Sequence, residues 1–535
     1  MAVTVTDLRT IRNEADATTG WQGSPNLFTS QPDPVEATGS IGYVVSNATV
    51  NAYHLGTAVN LSNALVYVWV RPFGAMDTTA NGGVALLLGD GTNLIGFHLA
   101  GSDSAGFQHA DGPVEWQCIV VDTQNLPSVF TARAGSRANL NLSAITGIGA
   151  MFKTLFKSVG GVSNCFIDIL RHGSVETLQI SGGTSGDPGL FSEISALDRS
   201  TANQRAHGVV RRLGAGLFGI QGPLRFGNPT SGNTWFQDLG TTVVFEARGF
   251  TTTRYRINIV RGTGTTHFQL GTKVGTDGGE DGCTIIVPPG VGAEFDADTE
   301  TSTTDVRMYA SVLRGFTNGL GFQSGHEFIA SQVDASGTIR ANGASFLNSR
   351  ITASTAATAL LWNVNLNTNG RLDGCVFASA GTGHAIELGP NCPTEITLAN
   401  MTYTGYGANG TTNAALYNNS GKSITVNVLG GGSPTVRNGA GASTTIQNTQ
   451  LFRVTGLIPD SEVRVYRISD GEELAGVENS TTEFEFVYNY TGDVPINVYI
   501  HNIQYQWLGI ASTLTANGVT IPVQQRFDRV YFNPD

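Results

Sequence analysis

Residues 346–353 read FLNSRITA, residues 359–366 read ALLWNVNL and residues 374–378 read GCVFA. Each of these apolar runs is long enough for one strand, and turn residues separate it from the next run. The same alternation of short apolar runs and turn residues extends over residues 181–448. The Asn-Gly pairs of this stretch begin at Asn318, Asn342, Asn369, Asn409 and Asn438, at intervals of 24, 27, 40 and 29 residues. Asn-Gly supplies the positive φ angles of tight corners, and this spacing suits one coil of a parallel β-helix.

The chain before this stretch has the pattern of a β-sandwich. Apolar runs such as LVYVWV at residues 65–70 alternate with turns rich in Gly, Asp and Asn. The order of these runs over about residues 20–175 resembles the concanavalin-like jelly roll of lectins and laminin-type modules. Tyr67 and Trp69 are expected in the sandwich core. Trp21 and Trp116, which lie near turns, either belong to the core or line a sugar site.

Three segments carry helical signals. Residues 6–15 have a capping residue and apolar side chains three positions apart, which predicts one short N-terminal helix. Residues 150–157 and 191–198 are two further helical candidates. The second candidate precedes the predicted solenoid, so we expect it to cap the open end of the first coil.

Longer strands follow residue 448, which indicates a separate C-terminal domain. The Gly-Leu-x-Pro sequence at residues 456–459 resembles the opening turn of fibronectin-like and prealbumin-like sandwiches. The chain is therefore predicted to be all-β with three domains. These are a short helix plus lectin-like sandwich at residues 1–180, a parallel β-helix at residues 181–448, and an Ig/fibronectin-like sandwich at residues 449–535.

Composition restricts the partners of the chain. Charged residues make up 13% of 535 residues, about half the usual share, and the formal net charge is −12. This balance argues against direct contact with nucleic acid, which requires concentrated positive charge. No apolar run reaches the length of a membrane span, and the N-terminus lacks the pattern of a secretory signal, so synthesis in a cytosol without membrane insertion is expected. The five cysteines form no C-x-x-C pair, and we expect buried thiols.

The whole arrangement resembles bacteriophage virion structural proteins of the tail-spike, tail-fibre and head-appendage kind. The most specific segment of this resemblance is TIPVQQRFDRVYFNP at residues 520–534. The Gly- and Thr-rich composition of the chain is the second shared feature. The resemblance implies a right-handed β-helix between an N-terminal attachment domain and a C-terminal sandwich. It also implies a homotrimer that contacts other virion proteins of the tail or capsid, and localisation in the virion.

Two acidic clusters are the enzymatic candidates. Asp277, Glu280 and Asp281 lie in a Gly-rich turn, and Asp296, Asp298 and Glu300 alternate along the chain. On a strand the second cluster would project from one face, where carboxylates could act on a glycan or hold calcium. The competing interpretation is a solvated acidic loop. The nine histidines show no ligand spacing with acids or cysteines. We assign no catalytic, cofactor-binding or metal-binding residue, and expect no cofactor.

The sequence thus favours a non-enzymatic, trimeric spike or fibre that contributes to attachment to host-surface glycan. A tail-spike polysaccharide depolymerase, either a glycoside hydrolase or a lyase, is the first alternative. A bacterial surface adhesin is the second, and the missing secretion signal argues against it. The sequence leaves open whether the protein belongs to the head or the tail.

Overall fold

The chain is all-β in a computed structural model. The structure describes residues 3–13, 15–23, 27–30, 40–45, 49–71, 83–98, 116–153, 163–173, 177–197, 209–227, 232–246, 252–260, 264–298, 304–353, 358–490, 493–515 and 518–528. It forms two compact units. Unit 1 comprises Met1–Glu327 with Ser331–Ile339, and unit 2 comprises Phe328–Ala330 with Arg340–Asp535. The three predicted domain ranges stay predictions.

Unit 1 begins with two antiparallel sheets of six strands each. Their strands, together with the edge strand β1, are β1 (Val3–Asp7), β2 (Thr10–Asn13), β3 (Trp21–Gly23), β4 (Leu27–Ser30), β5 (Ser40–Val45), β6 (Thr49–Val59), β7 (Leu65–Arg71), β8 (Gly83–Gly89), β9 (Leu94–His98), β10 (Gln117–Asp122), β11 (Phe130–Ala134), β12 (Ile145–Lys153) and β13 (Ser163–Gly173). One sheet has the order β10-β7-β13-β5-β4 with β2 beside β13, and the other has the order β11-β9-β8-β12-β6-β3. Three short 3-10 helices lie at Thr123–Asn125, Arg137–Asn139 and Leu142–Ala144.

One apolar core lies between these two sheets. It includes Val66 and Val68 of β7 and Leu86 of β8. Tyr67 and Trp69 are also buried, but their alternation with the valines places them on the opposite face of β7. The Tyr67 hydroxyl lies 2.5 Å from Oγ1 of Thr177, outside the sandwich. The expectation that both aromatic residues belong to the sandwich core was therefore wrong, because this strand is covered on both faces.

Two helix predictions were also wrong. Residues 3–7 and 10–13 form strands β1 and β2 instead of the short N-terminal helix expected at residues 6–15. Val3 and Val5 are buried in alternation, which is the period of a strand, whereas Ile11 is half exposed. Residues 150–153 belong to β12, which is paired on both sides, by β6 and by β8. A central strand buried on both faces reads as a continuous apolar run, so it imitates a helix; residues 154–157 lie outside the described residues.

The rest of unit 1 is built from short strands, most of which pair in parallel. They follow the chain as β14 (Leu178–Gly182), β15 (Val210–Gly214), β16 (Leu217–Ile220), β17 (Leu224–Phe226), β18 (Thr234–Asp238), β19 (Thr242–Phe245), β20 (Thr252–Ile259), β21 (Thr266–Leu270), β22 (Thr272–Val274), β23 (Gly278–Glu280), β24 (Thr284–Ile286), β25 (Val291–Asp296), β26 (Thr304–Tyr309), β27 (Val312–Arg314), β28 (Leu320–Gly321), β29 (Glu327–Ile329), β30 (Gln332–Ser336) and β31 (Ile339–Arg340).

Three parallel ladders organise most of these strands, whereas β15 pairs with β16 and β22 pairs with β23 in antiparallel fashion. Strands β29 and β31 each extend into unit 2. The first joins β14, β17, β20, β25 and β28, the second joins β16, β19, β24, β27 and β30, and the third joins β18, β21 and β26. Apolar side chains occupy equivalent positions on neighbouring strands: Phe236 pairs with Phe268, and Phe268 pairs with Val306. All three are buried. Each ladder therefore presents one apolar face to the interior and one face outward.

The predicted helix before these ladders is present as α1 (Leu190–Ala196). Phe191 is buried, and its backbone N–H donates to Oδ2 of Asp238 at 2.8 Å. Glu193 of the same helix accepts the N–H of Val3, so β1 and β18 are both tied to α1. The helix thus lies beside the first strands of the parallel ladders, where a capping helix was expected; Asp198 lies outside the described residues.

Several corners of the ladders use left-handed backbone conformations. Asn342 has φ of 45°, and its neighbour Gly343 has φ of 88°, as the Asn-Gly pattern predicts. Ala310 has φ of 48° at a corner that carries neither Asn nor Gly. A left-handed conformation costs an alanine roughly 1–2 kcal/mol, so the surrounding ladder holds this corner against its local preference.

Unit 2 continues the same construction and then changes to longer strands. Its strands are β32 (Ser345–Leu347), β33 (Arg350–Ala353), β34 (Leu360–Trp362), β35 (Val376–Ala378), β36 (Ile386–Leu388), β37 (Glu395–Thr404), β38 (Leu416–Asn418), β39 (Ser423–Gly431), β40 (Val436–Asn438), β41 (Ser443–Thr455), β42 (Glu462–Arg467), β43 (Glu473–Val477), β44 (Glu483–Asn489), β45 (Val494–Asn502), β46 (Tyr505–Leu514) and β47 (Val519–Pro522). Strands β34, β36, β38 and β40 form one parallel ladder, and β33, β35, β37, β39 and β41 form another.

Strand β41 belongs to two structures at once. Its first half, Ser443 to Thr449, is parallel to β39, whereas its second half, Thr449 to Thr455, is antiparallel to β44 and parallel to β47. Beside this second half, β42, β43, β45 and β46 form an antiparallel sheet in the order β43-β42-β45-β46. An apolar core that includes Phe452 and Val465 joins the two sheets. No linker separates the ladder from this C-terminal sandwich within unit 2.

Candidate glycan-binding groove

One candidate site lies on the outward face of the ladder β18-β21-β26. Alternation along each strand turns Phe236 and its partners inward and turns Trp235, His267 and Asp305 outward. The register pairs Trp235 with His267 and His267 with Asp305, so the three outward residues stand side by side on neighbouring strands. Neighbouring strands are about 4.8 Å apart, which sets the spacing of this row.

Trp235 and His267 form a stacked pair. Their ring centroids are 3.5 Å apart and their planes differ by 7°. Trp235 is nevertheless 37% exposed, an unusual state for the largest apolar side chain. Because one face of the indole lies against His267, the exposed surface of Trp235 belongs to its other face and its edges. A flat aromatic surface held in a fixed orientation is thereby offered to solvent.

Asp305 holds the side chains of His267 and Arg307 in place by hydrogen bonds. Its Oδ2 lies 2.8 Å from Nδ1 of His267, and its Oδ1 accepts a hydrogen bond from Nε of Arg307 at 2.8 Å. Partial burial raises the pKa of Asp305, but the hydrogen bonds from Arg307 and His267 outweigh this effect and hold the pKa below its ordinary value. The carboxylate therefore orients both the imidazole that supports Trp235 and the guanidinium of Arg307, half of whose side chain is exposed.

Two amide side chains and a turn complete the groove. Gln237 and Gln269 pair with each other two positions beyond the aromatic pair, and Gln269 pairs with Arg307. The turn at residues 184–186 forms the wall beside Trp235. The groove thus combines an aromatic surface with two amides, a carboxylate and a guanidinium within the width of three strands.

This combination suits a carbohydrate. Pyranose rings present C–H groups on one face, which pack on an aromatic ring, and hydroxyl groups around the rim, which pair with amides, carboxylates and guanidinium groups. Binding sites of this kind need few polar groups, provided that the fold fixes their orientation. Here the parallel ladder provides that fixation, because the aromatic, amide and charged side chains of the groove all lie on strands.

The first predicted acidic cluster does not lie in this groove. Asp277 and Glu280 belong to the hairpin formed by β22 and β23, and both are exposed, as is Asp281. Asp281 has φ of 49° at a corner of the ladder. The exposure of all three carboxylates fits the interpretation of this segment as a solvated acidic loop.

The second acidic cluster is only partly brought together. Asp296 ends β25 and is 1% exposed, and its Oδ2 accepts a hydrogen bond from Arg256 on the neighbouring strand. The N–H of Asp298 donates to Oδ1 of Asp296 at 3.4 Å, so the two residues form a local turn. Burial raises the pKa of Asp296 above its ordinary value, against the opposing charge of Arg256. Glu300 lies outside the described residues.

The tryptophans of the described residues divide into buried and exposed side chains. Trp21 and Trp116, which the sequence left as core or sugar-binding residues, are both buried, and Trp21 belongs to the sandwich core. Trp362 is fully buried and its Nε1 donates to the carbonyl of Leu366. Trp235 and Trp507 are the exposed tryptophans of the described residues, with exposures of 37% and 66%.

Sequence reasoning missed the groove because its residues are far apart in the chain. His267 and Asp305 are separated by 38 residues, so inspection of short-range spacing found no partner for the histidine. A signal was present in the strand sequences TWFQD, THFQL and TDVRM, which begin at Thr234, Thr266 and Thr304. Thr234 donates a hydrogen bond to Thr266 at 3.2 Å inside the ladder. Alignment of the three segments on this threonine would have placed Trp235, His267 and Asp305 in one row.

Other functional classes leave few traces in the described part of the chain. There, no group of three or more His, Cys, Asp or Glu residues is arranged to hold a metal ion. No helix within the described ranges is both long and apolar enough to span a bilayer. All five cysteines are free and buried, which confirms that expectation; burial raises the pKa of the Cys375 thiol to about 12.

Comparisons with known proteins assign no family. No family model and no curated protein matches the chain. Among solved structures, a family 11 carbohydrate-binding module of a cellulosomal cellulase of Clostridium thermocellum aligns at 7% identity over 31% of this chain and 95% of the module, with a TM-score of 0.21. The cleaved adhesin domain of Lys-gingipain from Porphyromonas gingivalis aligns at 11% identity over 32% of this chain and 99% of the domain, with a TM-score of 0.17. Similarities of this size do not determine a fold or a function.

Proposed function

We propose that the chain is a structural protein of a bacteriophage virion, a spike or fibre that contributes to attachment to host-surface glycan. In this proposal it associates as a homotrimer with other virion proteins of the tail or capsid. The parallel ladders wind as a right-handed β-helix that follows a concanavalin-like jelly roll and precedes an Ig/fibronectin-like sandwich. The virion role rests on the sequence resemblance, whose most specific segment continues beyond residue 528, where the described residues end.

The observation that supports glycan binding is the exposed Trp235 stacked on His267. An indole in water loses the hydrophobic stabilisation that burial would give it, of the order of 2–3 kcal/mol for a large side chain. In this groove the indole is additionally held by the ladder, by His267 and, through His267, by Asp305. A rigid exposed aromatic side chain with polar groups around it is the usual arrangement at recognition sites.

Glycan binding is tested by comparison of three proteins. Surface polysaccharide from candidate hosts is immobilised, and binding of the unchanged chain is compared with that of Trp235→Ala and of Trp507→Ala. We expect Trp235→Ala to lose at least about 2 kcal/mol of binding free energy, the loss usual for an aromatic anchor. Trp507→Ala, which removes a more exposed tryptophan of unit 2, should bind normally. Equal binding by all three proteins would remove the groove from the proposal.

The virion role has its own test. Electron micrographs of phage particles labelled with antibody against the C-terminal sandwich should show label at the tail, at the portal or at the capsid vertices. Label at any of these places supports the proposal and identifies the location. Particles that lack the protein by both micrograph and mass spectrometry would refute it.

A polysaccharide depolymerase is the second candidate. The direction of the pKa shift of Asp296 favours it, because burial raises this pKa and the general acid of a glycosidase also has a raised pKa. The burial of Asp296 and its ion pair with Arg256 favour a structural role instead. Incubation with host polysaccharide followed by detection of new reducing ends, or of unsaturated products for a lyase, separates the two. Product release that Asp296→Asn abolishes in a protein of unchanged stability would establish the enzyme.

A further inference from the structure

The charges around the groove restrict the glycan that it takes, and this inference rests on the proposed function. Arg307 and Asp305 form an ion pair with Nε and Oδ1 2.8 Å apart, so their charges cancel within the site. Glu327, which also interacts electrostatically with Arg307, forms a second pair with Lys273 at 3.0 Å. Both cations are therefore paired with a carboxylate, which weakens their attraction for an anionic ligand.

Apart from the imidazole of His267, which lies against Asp305, the remaining polar side chains of the groove are uncharged amides and hydroxyls. Gln237 and Gln269 offer amide donors and acceptors, and Nε2 of Gln269 already donates to the carbonyl of Gly271 at 2.9 Å. Recognition of carboxylate, sulfate or phosphate substituents usually relies on guanidinium or ammonium groups with free charge. Hydroxyl groups, by contrast, are matched by amides and by ion pairs that can both donate and accept.

Long-range electrostatics points the same way. The chain carries a formal net charge of −12, so a polyanion approaching the surface meets net repulsion at low ionic strength. A neutral polymer experiences no such penalty. We therefore propose that the groove at Trp235 binds a neutral glycan, one without uronic acid, sulfate or phosphate groups, by stacking a sugar ring on the indole and by hydrogen bonds to Gln237, Asp305 and Arg307.

Affinity electrophoresis at pH 8 tests this inference, since imidazole groups are generally neutral there. The probes are three neutral polysaccharides (dextran, mixed-linked β-glucan and galactomannan) and three acidic ones (alginate, polygalacturonate and hyaluronan). We expect retardation by at least one neutral polysaccharide and by no acidic one. Retardation should change less than about twofold between about 50 mM and about 500 mM salt, because no ion pair with the ligand is screened.

Two variants connect the result to the groove. Trp235→Ala should weaken the retarded complex about thirtyfold or more, as loss of an aromatic anchor does. Trp235→Phe, which keeps a ring in place, should recover part of this loss. Arg307→Gln, which keeps a donor but removes the charge, should weaken binding of a neutral glycan less than about threefold, whereas it would weaken binding of an acidic glycan about tenfold or more. Trp507→Ala serves as the matched control on unit 2.

The outcomes separate the inference from the function on which it rests. Preferential binding of an acidic polysaccharide that falls steeply with salt and with Arg307→Gln would overturn the neutral-glycan inference and leave glycan attachment in place. Binding that Trp235→Ala and Trp507→Ala leave unchanged would place the glycan elsewhere on the chain and overturn the inference as well. Absence of binding to all six probes and to host polysaccharide would overturn both.

Discussion

Replacement of Phe295 by alanine tests the packing inside the parallel ladders of unit 1. Phe295 is fully buried in β25. Its ring centroid lies 6.0 Å from that of Phe268, 6.2 Å from that of Phe316 and 5.6 Å from that of Phe322. Truncation of a buried phenylalanine costs about 3–5 kcal/mol, and each aromatic contact contributes about 0.5–1.5 kcal/mol beyond area burial. Because Phe295 has three aromatic neighbours, the loss in free energy of unfolding caused by Phe295→Ala should lie near the upper limit of this range, at about 5 kcal/mol.

Hydrogen exchange with mass spectrometry is the appropriate assay, because a chain with more than one compact unit need not unfold in one step. A loss of about 5 kcal/mol corresponds to a fall of three to four orders of magnitude in protection, at about 1.4 kcal/mol per factor of ten. We expect this fall in peptides that cover β20, β21 and β25. Phe295→Leu, a smaller change, should lower protection in the same peptides by less if the alanine variant does not fold.

The matched control is Phe130→Ala. Phe130 lies on β11 of the N-terminal sandwich and is more than one third exposed, so its removal should cost less than about 1 kcal/mol. The reasoning fails if Phe295→Ala changes protection less than tenfold, or if its effect equals that of Phe130→Ala. Either result would mean that the aromatic side chains of the ladders do not form a close-packed interior.

Ala310→Gly should raise the free energy of unfolding of its ladder by about 0.5–1 kcal/mol, because it relieves left-handed strain at the cost of some chain entropy. Ala297→Gly, at a buried position outside the left-handed region, should lower the free energy of unfolding. Hydrogen exchange measures both changes. Asp305→Asn should lower the melting temperature at pH 7. The pKa of Asp305 is held low in the fold, so its stabilisation is fully present above about pH 4 and is lost as the pH falls through the folded pKa. The difference in melting temperature between the variant and the unchanged chain should therefore shrink as the pH falls below about 4, and a difference that does not shrink in acid would contradict the ion-pair argument. Cys375 and the other four cysteines should not react with a thiol reagent at pH 8 in the native protein, and all five should react in denaturant; rapid reaction of even one native thiol would show that the burial is wrong.

The sequence predicted the all-β class and several local features because these depend on short-range patterns. The α1 helix and the positive φ of Asn342 follow from such patterns. The corner at Ala310 could not be predicted, since alanine does not favour φ of 48° and adopts it only because the surrounding ladder holds it there. Strand β12 was mistaken for a helix in part, because central strands lose their alternation.

The candidate site depended on information that short-range patterns do not contain. Trp235, His267 and Asp305 meet only because the ladder brings strands 32 and 38 residues apart into register. The acidic residues near Asp296 attracted attention because they are close in sequence, yet the fold buries the central carboxylate against Arg256. In a parallel ladder the residues that meet lie on paired strands, and the variable number of residues between those strands hides the pairing from inspection of a single segment.

Strand β41 has a mechanical consequence for the end of the chain. The same backbone segment is hydrogen-bonded to β39 and then to β44 and β47, without an intervening loop. Because no loop can extend first, a force applied to the C-terminal sandwich acts along β41 and loads the hydrogen bonds of this strand in shear. A single residue inserted near Thr449 would rotate every following side chain of the strand to the opposite side. The C-terminal sandwich is thus joined to the ladder by continuous strand pairing, and a tethering force applied there acts directly on the hydrogen bonds between β41 and β39.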